Sequence, residues 1–127
     1  MKKLYILIPL ILSMAEPVKD KGLKVELEDK KGIKHHLNGL VCGGRTYLKV
    51  KEGNLEYSLD LSTLKSIEVL SQEGDQLIIK IQLKNGNSKE YLLPASTYCK
   101  AKSNIGEAGF YLRDVKTIFI KTEDKKP

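Results

Sequence analysis

Two stretches of this chain echo each other, and both alternate apolar with polar side chains. Leu23-Lys24-Val25-Glu26-Leu27 sets against Leu77-Ile78-Ile79-Lys80-Ile81 at an offset of 54, and Gly32 meets Gly86 at the same offset. Further on, Leu61, Leu64, Lys65, Ile67 and Val69 match Leu112, Val115, Lys116, Ile118 and Ile120 at an offset of 51, which Glu56 and Glu107 share. A period of two places every second side chain on one face of an extended strand. A repeat of about 45 residues points to one supersecondary unit used twice. The expected fold is therefore all-β, with a first β repeat over residues 23–70 and a second over 76–120 packed with it. One net change of three residues in a middle loop reconciles the two offsets.

The alternation persists inside each half. Leu55-Glu56-Tyr57-Ser58-Leu59-Asp60-Leu61 runs for seven residues, and Leu48 and Val50 are interleaved with Lys49 and Lys51. No segment keeps the 3.6-residue period over three turns, so no long helix is expected. Lys84-Asn85-Gly86-Asn87 is a hairpin signal, because Asn and Gly accept the positive φ of tight turns. Asp29-Lys30-Lys31-Gly32, Glu52-Gly53-Asn54 and Glu73-Gly74-Asp75 punctuate the other runs. Leu61–Leu64 and Leu112–Val115 each precede a closing strand, and four residues with apolar ends fit a single 3₁₀ turn. A strand, a hairpin, two middle strands, a tight turn and a last strand resembles the arrangement of small SH3-like barrels. The sequence allows either two such barrels or one two-sheet sandwich.

The front end carries the parts of an export signal. Lys2 and Lys3 precede an uncharged run from Leu4 to Leu12, and small residues follow at Ser13 and Ala15. Residues 1–15 are expected to be a signal peptide cleaved after Ala15. The apolar run is too short to span a bilayer, which takes roughly 20 residues. Residues 16–22 and 121–127 are polar and Lys-rich, and are expected to be flexible ends. The mature chain is then periplasmic or extracellular and not membrane-spanning.

Cleavage leaves 112 residues, enough for one modest core, and lowers the formal charge from +6 to +4. That excess is well short of a nucleic-acid binder's concentrated patch, so no nucleic acid is expected. Export would place Cys42 and Cys99 in an oxidising space, where an even count favours a disulfide over free thiols. The closed loop of 57 positions would contribute about 4 kcal/mol by chain entropy.

Catalytic equipment is sparse. His35 and His36 are adjacent, so on a strand they point to opposite faces and cannot readily grip one metal. Ser62-Thr63-Leu64-Lys65 spells Ser-x-x-Lys, a nucleophile motif elsewhere, but a turn accounts for it. Gly43-Gly44-Arg45 offers backbone amides and a charge to an anion, or simply a bend. No phosphate loop, His-Glu-x-x-His or Ser/His/Asp set occurs, and no metal or other cofactor is expected. The leading expectation is a non-catalytic accessory module that binds an envelope protein by strand addition or a Tyr/Lys surface. The alternative is a binder of an anionic envelope ligand, glycan or lipid headgroup, with Lys24, Lys49, Lys51 and Lys80 as the anion-contacting residues.

Overall fold

The structure, a computed structural model, describes residues 23–122. The expected signal peptide, the segment 16–22 and most of the C-terminal tail lie outside the described residues. Ten strands follow one another: β1 (Leu23–Asp29), β2 (Lys34–Cys42), β3 (Tyr47–Glu52), β4 (Leu55–Asp60), β5 (Leu64–Glu73), β6 (Gln76–Leu83), β7 (Ser88–Pro94), β8 (Tyr98–Ser103), β9 (Gly106–Tyr111) and β10 (Val115–Thr122). Two single 3₁₀ turns, Leu61–Thr63 and Leu112–Asp114, lead into β5 and β10 where the sequence places them. The last strand reaches two residues into the expected tail, because Lys121 and Thr122 pair with Lys24 and Leu23.

All ten strands form one curled antiparallel sheet in the order β4-β3-β7-β6-β5-β10-β1-β2-β8-β9. The inward residues make a single core. Val25 and Leu27 enter from β1, Leu77, Ile79 and Ile81 from β6, Ile67 and Val69 from β5, and Ile118 and Ile120 from β10. The step from Leu64 to Ile67 breaks strict alternation, and a bulge between Leu64 and Ser66 restores both to the inner face. Where the alternation of Leu55–Leu61 predicts a buried face, β4 lies instead at the sheet's end. Within β4 Leu55 is 61% exposed and Leu59 alone packs against the core, while Leu61 is buried only beyond the strand, in the 3₁₀ turn. An edge strand has one neighbour, so half of its pattern finds nothing to cover it.

The strand order reads the same when β1–β5 are exchanged with β6–β10. At its centre β5 and β10 pair through Ile67 and Ile118, the two residues matched at the offset of 51. The hairpin registers keep the offset of 54, with Leu27 opposite His35 and Ile81 opposite Lys89. Single hydrogen bonds correspond as well. Leu61 N–H donates to Thr46 O and Leu112 N–H to Thr97 O, both at 3.0 Å.

Strands β1–β5 and β6–β10 interlock. A unit closed on itself would pair β2 with β3, but the ladders run β2–β8 and β3–β7. Local geometry explains the departure. Gly43 (φ 64°) and Gly44 (φ 75°) swing the chain off the end of β2, and Gly43 N–H donates to Tyr98 O at 2.8 Å. In the other half Pro94 ends β7, since it has no N–H to continue a ladder.

Candidate functional site

The β2–β8 and β3–β7 ladders are two seams between the strands β1–β5 and β6–β10, and each opens into a groove. The strand that walls each groove has a fixed sidedness. Leu48 and Val50 of β3 are buried, so Tyr47, Lys49 and Lys51 face outward. Cys99 and Ala101 of β8 are buried, so Tyr98, Lys100 and Lys102 face outward. Written out, Thr46-Tyr47-Leu48-Lys49-Val50-Lys51 and Thr97-Tyr98-Cys99-Lys100-Ala101-Lys102 share Thr, Tyr, Lys and Lys at the offset of 51. The inward positions differ, Leu against Cys and Val against Ala. Packing constrains inward residues most, so identity confined to the outward ones is not explained by the core.

The β3–β7 groove has a volume of about 430 Å³ and is lined by Arg45, Lys49, Lys51, Glu56, Tyr47 and Tyr98, with Leu92–Pro94 as its far wall. Its counterpart at the β2–β8 seam is about 130 Å³ and takes Lys100, Lys102 and Glu107, with Asn38–Leu40 opposite. Thr97 belongs to the first groove and Thr46 to the second, an exchange that follows the pseudo-symmetry. The seams are thinly hydrogen-bonded. Lys51–Leu92 is the one register pair of β3 with β7, and the β2–β8 ladder is interrupted between Asn38 and Val41.

Charge and aromatic rings are set side by side. The Arg45 guanidinium carbon lies 5.6 Å from the centre of the Tyr47 ring. Tyr98 meets Tyr111 edge-on with centroids 4.9 Å apart, and Arg113 covers Tyr111 at 4.3 Å. Gly109 makes room for this pile, because a Cβ there would collide with the Tyr98 ring. Lys51 and Lys102 each stand directly across a strand pair from a glutamate, Glu56 and Glu107. Lys100 Nζ is 3.9 Å from Glu107. Nearby, a 2.9 Å ion pair with Glu52 raises the pKa of Lys89 above its ordinary value.

Of the four lysines singled out in the sequence, the structure brings Lys49 and Lys51 together. Lys24 lies on the other side of the central β5–β10 pair, between Lys121 and Asn38, and Asn38 in turn faces Lys102. Lys80 is flanked on the sheet by Glu68 and Glu90, a poor setting for an anion. Lys100, Lys102, Tyr47 and Tyr98 were absent from that set, although extending the 51-residue match upstream of Glu56 reveals them. Cys42 and Cys99 face each other across β2 and β8 and are joined as a disulfide.

The remaining candidates resolve into local structure. His35 Nε2 lies 3.0 Å from Asp29, and His36 lies 3.6 Å from Glu26 on the other face. The His35 hydrogen bond and the Ile33 N–H hold the Asp29 carboxyl below its ordinary pKa. No group of three or more His, Cys, Asp or Glu that could hold a metal occurs among the described residues. Ser62 donates its hydroxyl to Asp60 at the start of the first 3₁₀ turn. A disulfide is the mark of an oxidising compartment, and no described helix is long and apolar enough to cross a membrane.

A family model described as "Uncharacterised protein" matches residues 19–123. The chain belongs to that family. It is also similar to a protein of Aquifex aeolicus (strain VF5), itself called "Uncharacterized protein". The two are 43% identical over 123 residues, covering 93% of this chain and 93% of that one.

Proposed function

We propose that the chain is an exported, non-catalytic binding module of the cell envelope, made by fusing two copies of a five-strand unit, and that its seam grooves take an anionic ligand. The observation that carries this reading is the doubled Thr-Tyr-x-Lys-x-Lys. Its shared residues point away from the core, and in both copies they line a groove. Arg45, Lys49 and Lys51 outnumber Glu56 in the larger groove, so the local field favours an anion, glycan or lipid headgroup alike. The interlocked strand order supports the fusion, since a paired homodimer joined through a short β5–β6 link would give the same order. The disulfide and the charged, apolar and small-residue segments of the first 15 residues support export.

Titration of the mature chain with anionic glycan and with anionic-lipid vesicles tests the ligand. Binding is expected to weaken steeply by about 0.5 M salt, where exposed charges are screened. It should also fall in Lys49→Glu/Lys51→Glu, which removes the larger groove's lysines. Binding that ignores both changes defeats the proposal. N-terminal sequencing of the exported protein should begin at Glu16, and a retained Met1 defeats the export reading.

A protein partner is favoured by a separate observation at the sheet's other end. Strand β9 pairs only with β8, carries a single charge at Glu107, and begins beside Ile105, which is 91% exposed. Such an edge is a template for strand addition. A partner recovered from native envelope by wild-type protein should be lost with Glu107→Pro or Ile105→Asp and kept with Lys49→Glu/Lys51→Glu.

A further inference from the structure

We propose that the two lysine ladders work as one track for a single linear anionic polysaccharide, each ladder forming one of two subsites. The inference rests on the anionic-ligand reading above and adds the ligand's chemistry and its valency. Its first support is continuity. Tyr47 begins one ladder and Tyr98 the other, and both rings line the same groove. The turn Gly43–Thr46 separates the grooves, sending Arg45 to one side and Thr46 to the other. From this shared origin Lys49 and Lys51 run along β3 while Lys100 and Lys102 run along β8. The pseudo-symmetry directs the two strands apart. With a rise of about 3.3 Å per residue, each ladder covers about 13 Å from tyrosine to second lysine. Two tyrosines thus sit at the centre of a row with cations on both arms.

The side chains select among anions. Glu56 and Glu107 stand opposite Lys51 and Lys102 in both copies. A carboxylate there repels a densely charged polyphosphate, but it accepts hydrogen bonds from sugar hydroxyls. Tyrosine rings offer flat, amphipathic faces to sugar rings, with hydroxyls at their rims. Membrane headgroups fit less well. The strongly exposed apolar residues Ile105, Leu55, Ile33 and Phe119 line neither groove, so insertion into a bilayer gains nothing from the ladders.

The symmetry also limits how the chain is read. Two subsites related by a two-fold face opposite ways along one polymer, which has a direction. Recognition therefore rests on charge recurring along the chain, and flexible lysine stems tolerate either direction. Simultaneous engagement then raises affinity through effective concentration without any new contact.

Titration calorimetry of the intact mature protein with size-graded oligogalacturonides tests this. The disaccharide is expected to bind weakly with two per protein. Oligomers of roughly ten sugars, long enough to pass both ladders, should bind one per protein and at least about ten-fold more tightly. Lys49→Gln/Lys51→Gln and Lys100→Gln/Lys102→Gln should each cut disaccharide stoichiometry to one and abolish the gain with length. Thermal melts matching wild type would establish that both variants fold. Equal affinity for short and long oligomers overturns the single track, as does a loss confined to one variant or two long chains bound per protein. Binding of polyphosphate in place of every oligogalacturonide overturns the sugar chemistry and leaves the anionic-ligand reading standing. Binding of no anion at all overturns both.

Discussion

The two seams occupy equivalent places in the sheet and are built differently. At β2–β8 a disulfide joins Cys42 to Cys99 and the groove holds about 130 Å³. At β3–β7 the positions corresponding to the cysteines are Ser96 and Leu48, one register pair joins the strands, and the groove holds about 430 Å³. The difference traces to the three extra residues between β2 and β3. Their left-handed glycines carry Cys42 to Cys99 and set Arg45 over Tyr47. The same short turn thus follows the cysteine that staples one seam and presents its guanidinium to the opposite groove. Near-equivalent sequence need not give equivalent openings, because a seam's width depends on how the chain enters it.

The largest expected effect comes from removing the staple. Cys42→Ala/Cys99→Ala should cost about 4 kcal/mol, the chain-entropy value for a loop of 57 positions, read from urea denaturation. If the staple is what separates the seams, amide exchange in β8 and β9 should rise toward that of β3 and β4. Unchanged exchange there would show that the difference lies elsewhere. Next in size is a test of equivalence at the sheet's centre. Ile67 and Ile118 are both fully buried and pair with each other. Replacing either by Ala should cost about 3 kcal/mol, with the two losses agreeing within about 0.5 kcal/mol. A larger gap would break the correspondence of the halves.

The smallest effect separates the two hairpins. Asp29 caps the first turn by accepting from Lys31 and Ile33 N–H, and Asn85 does the same for Asn87 in the second. Asp29 titrates and Asn85 does not. The folded pKa of Asp29 lies below its ordinary 3.8, so its contribution is fully present above that value. It is lost as pH falls through the folded pKa. Protection of the Ile33 amide should therefore decline in acid, while that of Asn87 stays flat until the sheet itself opens. Parallel decline of both from the start would remove the distinction.

Much of this architecture is legible in local sequence. Alternation locates Val25, Leu27, Ile79 and Ile81 on the inner face, and Asn85-Gly86 marks a hairpin. What alternation cannot convey is which strands become neighbours. Leu55 belongs to an apolar stripe and is nonetheless exposed, since its strand ends the sheet. Lys80 alternates outward as expected, but the registers of the hairpins on either side set Glu68 and Glu90 directly beside it. The lysine ladders were within reach of sequence alone. The offset that aligns Ile67 with Ile118 also aligns Lys49 with Lys100, provided that outward residues are compared as carefully as inward ones.

The placement of β10 beside both β1 and β5 bears on how this chain comes into being. The earliest strand to be synthesised acquires its second neighbour only from the last, so most of the polypeptide must wait before either central strand is enclosed. Folding should be slow for the chain's length. A product terminated before Val115 would lack a single strand yet lose two ladders, leaving β1 and β5 each open along one side.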